Sequence, residues 1–243
     1  ISDIFQCQMD SGSWSSCSSP KSYSSLSEGS HSFAVKATDS VNNTGAIDYH
    51  NWTIDITDPI ITISSSVGNL TNNQSAIFTL SSNEDNSIFQ CRLDTDSWDS
   101  CSNSKTYTGL SEGSHTFYAR AIDQANNTGS SKSHTWNIDI TDPVTTINYS
   151  PANRTNSQSA YFSFSSDEQD STFECKLDDP YNWTNCNSPV SYSNLSEGSH
   201  SFAVKATDEA NNTGDESVFN WIIDISGPLP YISSGPNNPT NSD

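Results

Sequence analysis

The chain repeats itself. Phe5-Gln6-Cys7-Gln8-Met9-Asp10 returns as Phe89-Gln90-Cys91-Arg92-Leu93-Asp94 and again as Phe173-Glu174-Cys175-Lys176-Leu177-Asp178, at a step of 84 residues. Trp14, Trp98 and Trp183 follow, then Cys17, Cys101 and Cys186, the last step growing to 85 after one insertion near Tyr181. Leu26 to Asp39 is identical to Leu195 to Asp208. A period this long marks tandem structural units. With 32% hydrophobic residues, several thin cores suit the chain better than one large one.

Each unit reads as β-structure. His31, Phe33, Val35, Ala37 and Asp39 fall on one face of a strand, and Ser32, Ala34, Lys36 and Thr38 on the other. Phe5, Cys7 and Met9 alternate likewise, as do Ala76, Phe78 and Leu80, and Trp52, Ile54 and Ile56. Clusters of Ser, Asn, Asp, Gly and Pro between these runs are turn chemistry. Six or seven short strands in about 84 residues predict a β-sandwich.

The motif Trp-x-Ile-Asp-Ile-x-x-Pro, at Trp52–Pro59, Trp136–Pro143 and Trp221–Pro228, sets the boundaries. Residues 1–58 form a repeat without its first strands, 59–142 and 143–227 are complete repeats, and 228–243 supply the first strand of a further one, Leu229–Ser233. Proline suits the start of a strand, and linkers this short restrict hinging. The uneven ends are read as truncation of a longer array. The rival is a tail strand donated to a neighbour, but the tail holds no equivalent of Ala76–Ser81.

The joint pattern of Phe-x-Cys-x-Leu-Asp, Trp-x-x-Cys, Tyr-x-x-Leu-x-x-Gly-x-His-x-Phe-x-Val-x-Ala-x-Asp and a closing Trp-x-Ile-Asp resembles the immunoglobulin-like tandem repeats of large bacterial and archaeal cell-surface proteins. The resemblance covers essentially the whole chain. It implies all-β, immunoglobulin- or fibronectin-III-like sandwiches serving as stalk, adhesin body or filament, and no single ligand. Those repeats often carry Asp-x-x-Gly-Asn after the His-containing strand; here Asp39-Ser40-Val41-Asn42-Asn43 has Asn in place of Gly.

The cysteines come as Cys7/Cys17, Cys91/Cys101 and Cys175/Cys186, one pair per repeat. Two cysteines cannot close a four-ligand zinc shell, whereas an even, repeat-locked set reads as disulfides in an oxidising, extracellular setting. Closing so short a loop stabilises by roughly 2–3 kcal/mol. Asn-x-Ser/Thr sequons occur at Asn42, Asn126 and Asn211, at Asn69 and Asn153, and at Asn51, Asn73, Asn148, Asn182 and Asn194. The first three are equivalent, each in Asn-Asn-Thr-Gly. They are candidate N-glycan sites, and the same residues also make a good turn.

The 29 acidic residues outnumber the 9 basic ones, giving a net charge of −20, which disfavours nucleic-acid partners. No apolar run is long enough for a membrane helix. Asp39, Asp123 and Asp208 end one strand, Asp55, Asp139 and Asp224 another, and Asp58 and Asp142 sit at the junctions. Carboxylates there suit calcium, but the spacing matches no calcium loop, and a solvated acidic rim is the plainer expectation. No cofactor is expected. His31, His115 and His200 recur with no recurring partner beyond Ser and Glu, so they read as structural. Trp52, Trp136 and Trp221 share a strand face with Ile54, Ile138 and Ile223 and read as core; Trp14, Trp98 and Trp183 are expected to cover the disulfides. No phosphate loop or catalytic arrangement is legible, and an enzyme is not expected. The expectation is a structural region of an extracellular, N-glycosylated fibre or stalk whose partners are copies of itself or neighbouring repeats. The alternative is an adhesin binding glycan or protein, with Tyr181-Asn182-Trp183 its one candidate loop.

Overall fold

The computed structural model describes residues 4–231 and 233. The described residues form strands and no helix. In chain order the strands are β1 (Ile4–Met9), β2 (Ser15–Cys17), β3 (Gly29–Thr38), β4 (Asp48–Ile54), β5 (Ile61–Ser65), β6 (Leu70–Thr71), β7 (Ala76–Ser82), β8 (Ile88–Leu93), β9 (Asp99–Cys101) and β10 (Ser104–Tyr107). They continue as β11 (Gly113–Ile122), β12 (Lys132–Ile138), β13 (Thr145–Tyr149), β14 (Arg154–Thr155), β15 (Ala160–Ser166), β16 (Thr172–Leu177), β17 (Thr184–Cys186), β18 (Val190–Tyr192), β19 (Gly198–Thr207) and β20 (Ser217–Ile223).

The chain groups into two compact units. One comprises Ile1–Asn69, Gln74–Leu110 and Ser114–Trp136; the other comprises Leu70–Asn73, Ser111–Gly113 and Asn137–Asp243.

In the second unit a three-stranded sheet, β13-β15-β18, faces a five-stranded one, β14-β20-β19-β16-β17. The side-chain period of two decides what lies between them. Ala160, Phe162 and Phe164 point in from β15, and Phe202, Val204, Trp221 and Ile223 from the facing sheet, all buried in one cluster. Phe162 stacks on Phe202 with ring centroids 4.0 Å apart and meets Trp221 edge-on at 5.4 Å. Each such side chain contributes roughly 1.5–3 kcal/mol through burial. The pairing of β13 with β15 shifts register between Ile147 and Tyr149, with Asn148 between them.

The second repeat uses the same sheet orders, β10-β7-β5 and β6-β12-β11-β8-β9. Phe78 and Phe117 stack at 4.1 Å, and Trp136 lies 5.3 Å from Phe78. The leading segment has one sheet, β2-β1-β3-β4. Among the described residues no second sheet covers it. Phe33, Val35 and Trp52 are half-buried, whereas their counterparts Phe202, Val204 and Trp221 are buried.

One expectation needs correction. Ile56 does not continue the alternation of Trp52 and Ile54. The strand stops at Ile54, where the Asp55 carboxylate accepts the Thr57 backbone N–H at 3.1 Å and turns the chain, leaving Ile56 exposed. Ile140 and Ile225 are likewise exposed. The expected tail strand Leu229–Ser233 lies partly outside the described residues, and its described residues, Leu229–Tyr231 and Ser233, are in no strand.

Candidate functional site

After the long strand of each repeat the chain turns through the same loop. The Asp123 carboxylate accepts the Asn127 backbone N–H at 2.8 Å and its side-chain amide at 2.8 Å. Asp208 holds Asn212 in the same way at 2.8 and 2.7 Å, and Asp39 holds Asn43 at 2.9 and 2.9 Å. Asn42, Asn126 and Asn211 stand at φ of 70, 70 and 71°. Asn is one of the few non-glycine residues that tolerate this left-handed region.

Two of these loops grip the linker that precedes their own repeat. The Asn127 side-chain amide donates to the Asp55 carbonyl at 3.0 Å, and that of Asn212 to the Asp139 carbonyl at 2.9 Å. Two residues on, Gly129 and Gly214 lie against Pro59 and Pro143. A Cβ on Gly129 would sit 1.9 Å from the Pro59 carbonyl oxygen, and one on Gly214 1.8 Å from that of Pro143. Both prolines are fully buried. The linkers are tied from the other side as well. Thr57 donates to Glu28 at 2.8 Å, Thr141 to Glu112 at 3.0 Å, and Ser226 to Glu197. The Asn72 side-chain amide donates to the Asn211 carbonyl at 3.0 Å.

Carboxylates converge on both junctions. Asp55, Glu84 and Asp123 present oxygens within 4.8 Å of one another, and so do Asp139, Glu168 and Asp208. Hard oxygens in this arrangement suit a divalent cation, although three fall short of the six to eight that calcium takes. Desolvation, and then the charges of Asp55 and Asp123, raise the Glu84 carboxyl above its ordinary range. Desolvation, then Asp139 and Asp208, do the same to Glu168. The expectation singled out Asp55, Asp123, Asp139 and Asp208 but missed both glutamates, which arrive from a distant loop.

Each recurring histidine has an acidic partner the sequence reading did not find. His31 Nδ1 lies 3.0 Å from Asp10, His115 Nδ1 2.9 Å from Asp94, and His200 Nδ1 2.7 Å from Asp178. The other ring nitrogen of His31 lies 2.7 Å from the Ser27 carbonyl, and that of His200 2.8 Å from the Ser196 carbonyl. Carboxylate and carbonyl oxygens only accept, so both nitrogens donate and the ring is favoured as imidazolium. The Ser27 carbonyl, then Asp10, raise the His31 pKa. Desolvation opposes the rise at His200, and the Ser196 carbonyl and Asp178 outweigh it. With both nitrogens engaged, neither His31 nor His200 has one free to act as a general base.

The remaining candidates are the cysteines, the tryptophans beside them and the sequons. Disulfides join Cys7 to Cys17, Cys91 to Cys101 and Cys175 to Cys186, each with Cα atoms 5.8 Å apart. Trp14, Trp98 and Trp183, expected to cover these bonds, carry cations on their rings. Lys36 lies 4.4 Å from Trp14, Arg120 4.5 Å from Trp98, and Lys176 and Lys205 4.3 and 4.7 Å from Trp183. All the sequon residues, Asn42, Asn51, Asn69, Asn73, Asn126, Asn148, Asn153, Asn182, Asn194 and Asn211, are exposed. Asn148 and Asn182 donate their side-chain amides to Ser165 and Asp179.

Residues 21–88 match the family described as Bacterial Ig-like domain (group 3). No curated protein matches the chain. Solved structures similar to it include the fibronectin(III)-like modules of Clostridium thermocellum CbhA, at 12% identity and a TM-score of 0.40 over 71% of this chain and 100% of that one. A tetra-tandem repeat from the extending region of a large adhesion protein shows 20% identity and a TM-score of 0.35 over 92% of this chain and 67% of that one. A 1.5-MDa bacterial ice-binding adhesin shows 12% identity and a TM-score of 0.44 over 91% and 85% respectively.

Proposed function

We propose that the chain is a structural spacer, the repeat region of an extracellular stalk or fibre, and that its working sites are the junctions between repeats. The observation that carries this reading is that one clamp is built twice: Asn127 and Gly129 on Asp55 and Pro59, and Asn212 and Gly214 on Asp139 and Pro143. A chain whose task is to hold serial sandwiches in order needs such a joint at every step. The disulfides and the family match at residues 21–88 support an extracellular or surface address.

The exposed sequons at Asn126 and Asn211 adjoin the clamping Asn127 and Asn212, and N-glycans there would flank each joint without occupying it. The test is electron microscopy of native surface material with an antibody to this chain. Label along regular fibres or stalks, with side density at Asn42, Asn126 and Asn211, supports the reading. Label confined to the cell interior sinks it.

One observation favours adhesion as a second reading. Tyr181 is 86% exposed on a loop pinned by the Asp179 carboxylate. Tyr181→Ala would then weaken attachment to the partner surface without changing stability.

A further inference from the structure

We propose that a groove on the outer face of the third repeat's five-stranded sheet seats the first sugars of an N-glycan carried on Asn153. The groove lies wholly in the second compact unit and has a volume of about 830 Å³. It crosses β20 and β19, from Asn153 at the sheet edge to Asp179 and Pro180 beyond β16. Register sets its floor. Ile222 pairs with Ser199, Asn220 with Ser201, and Val218 with Ala203. By the period of two these side chains point away from the core that holds Trp221 and Ile223.

Differences between the repeats open the groove. Tyr118 stands in the second repeat where Ala203 stands in the third, and the Arg92 guanidinium lies 4.4 Å from its ring. On the same face Thr116 and Thr135 share a hydrogen bond at 3.0 Å. Their counterparts Ser201 and Asn220 have side chains without a hydrogen-bond partner among the described residues.

The lining suits a neutral, amphipathic ligand. Its charged groups are already engaged. Lys176 meets Glu216 at 2.7 Å and Asp178 meets His200 at 2.7 Å, while Asp179 accepts the Tyr181 backbone N–H and the Asn182 side-chain amide. Hydroxyls of Ser199 and Ser201 and the amide of Asn220 then lie beside the apolar surfaces of Val218 and Ile222, which are 47% and 37% exposed. A sugar ring offers the matching mixture, with hydroxyls at its edge and C–H groups on its face.

Asn153 names the occupant. It lines the groove, opens the sequon Asn153-Arg154-Thr155 and is exposed, with no partner for its side-chain amide among the described residues. Its carbonyl accepts the Ile222 N–H at 2.9 Å, which fixes the attachment point beside β20. Attachment joins the Asn153 amide nitrogen to the anomeric carbon of a lipid-diphosphate-linked oligosaccharide. The sugar–phosphate bond breaks, the lipid diphosphate leaves, and the amide proton passes to solvent. A tether this short holds the sugar at an effective concentration of about millimolar, so weak contacts suffice to seat it. The proposal deepens the spacer reading and rests on its glycoprotein part.

The test uses the whole chain secreted by cells whose N-glycans stop at a high-mannose core. Glycopeptide mass spectrometry follows trimming of the folded protein by an endoglycosidase that cuts within the chitobiose stem. Asn153 should be trimmed roughly fivefold more slowly than Asn69, its counterpart in the second repeat, and at the same rate once the protein is denatured. Ala203→Tyr, as in the second repeat, should fill the groove and bring Asn153 up to the Asn69 rate. Val218→Tyr should do the same at an exposed position where the first repeat carries Tyr49, so folding is not at stake. Equal rates in the folded wild type, a difference that survives denaturation, a Val218→Tyr variant that trims like wild type, or an Asn153 without a glycan would each overturn the proposal. None of these results would alter the labelling of fibres or stalks, which tests the spacer reading separately.

Discussion

The side-chain amide of Asn127 reaches back 72 residues to donate to the backbone carbonyl of Asp55, 3.0 Å away. The same side chain is held by Asp123, so one residue closes its own loop and fastens the preceding linker. Asn212 repeats the arrangement at Asp139 and Asp208.

Replacing Asn127 or Asn212 with Ala leaves a carbonyl and a carboxylate short of partners in a shielded place. The expected loss is about 1–3 kcal/mol, read as a lower denaturant midpoint with an unchanged slope. Asn43→Ala, at the exposed counterpart, should cost less than either.

The three equivalent glycines should respond unequally to the same substitution. Gly129→Ala and Gly214→Ala push a methyl into a proline carbonyl and should destabilise by roughly 1–3 kcal/mol. Gly45→Ala meets nothing closer than 3.7 Å and should stay within about 0.5 kcal/mol of wild type. Thermal unfolding of the three variants checks the ranking at low protein concentration.

The His31–Asp10 pair gives stability a pH window. The folded-state pKa of His31 is raised above 6.5, so its contribution is complete below 6.5 and is lost as pH rises through the folded value. That of Asp10 is lowered below 3.8, chiefly by the Ser32 N–H and then by His31. Its contribution is therefore complete above 3.8 and is lost as pH falls through the folded value. The pair contributes fully between these limits. Stability curves of wild type and His31→Gln against pH should lie furthest apart in that interval and converge on the alkaline side, and NMR titration should give His31 a pKa above 6.5.

Glu84 and Glu168 behave in the opposite sense from most carboxylates. Their raised pKa values mean a contribution that is complete below 4.5 and is lost as pH rises. At neutral pH each is a charge held among like charges. Glu84→Gln and Glu168→Gln should therefore raise the melting temperature at pH 7 in low salt, and the gain should fade near pH 4.

Much of the fold was legible because strand alternation is a local signal. Ala76, Phe78 and Leu80 read as inward and are inward. The junction was not legible, because its parts meet only through tertiary structure. Asn127 was read as the second residue of a sequon and Gly129 as a turn former, although both recur in every repeat. The feature that could have pointed further was that the second Asn, which carries no glycan in Asn-Asn-Thr-Gly, recurs as faithfully as the first. Asp10, Asp94 and Asp178 were seen in the strand motif but not paired with His31, His115 and His200, from which they stand 21, 21 and 22 residues away. The insertion near Tyr181 lengthens the last of these separations.

The central claim is that the linkers are built interfaces and not free tethers, and the chain contains its own control. Hydrogen–deuterium exchange of wild-type monomer should show slow amides at residues 55–60 and 139–144, which the clamps hold, and fast ones at 225–228, which no described clamp covers. Asn127→Ala should release 55–60 and leave 139–144 unchanged. If all three segments exchange at the rate of an open chain, the junctions are not clamped and the account fails.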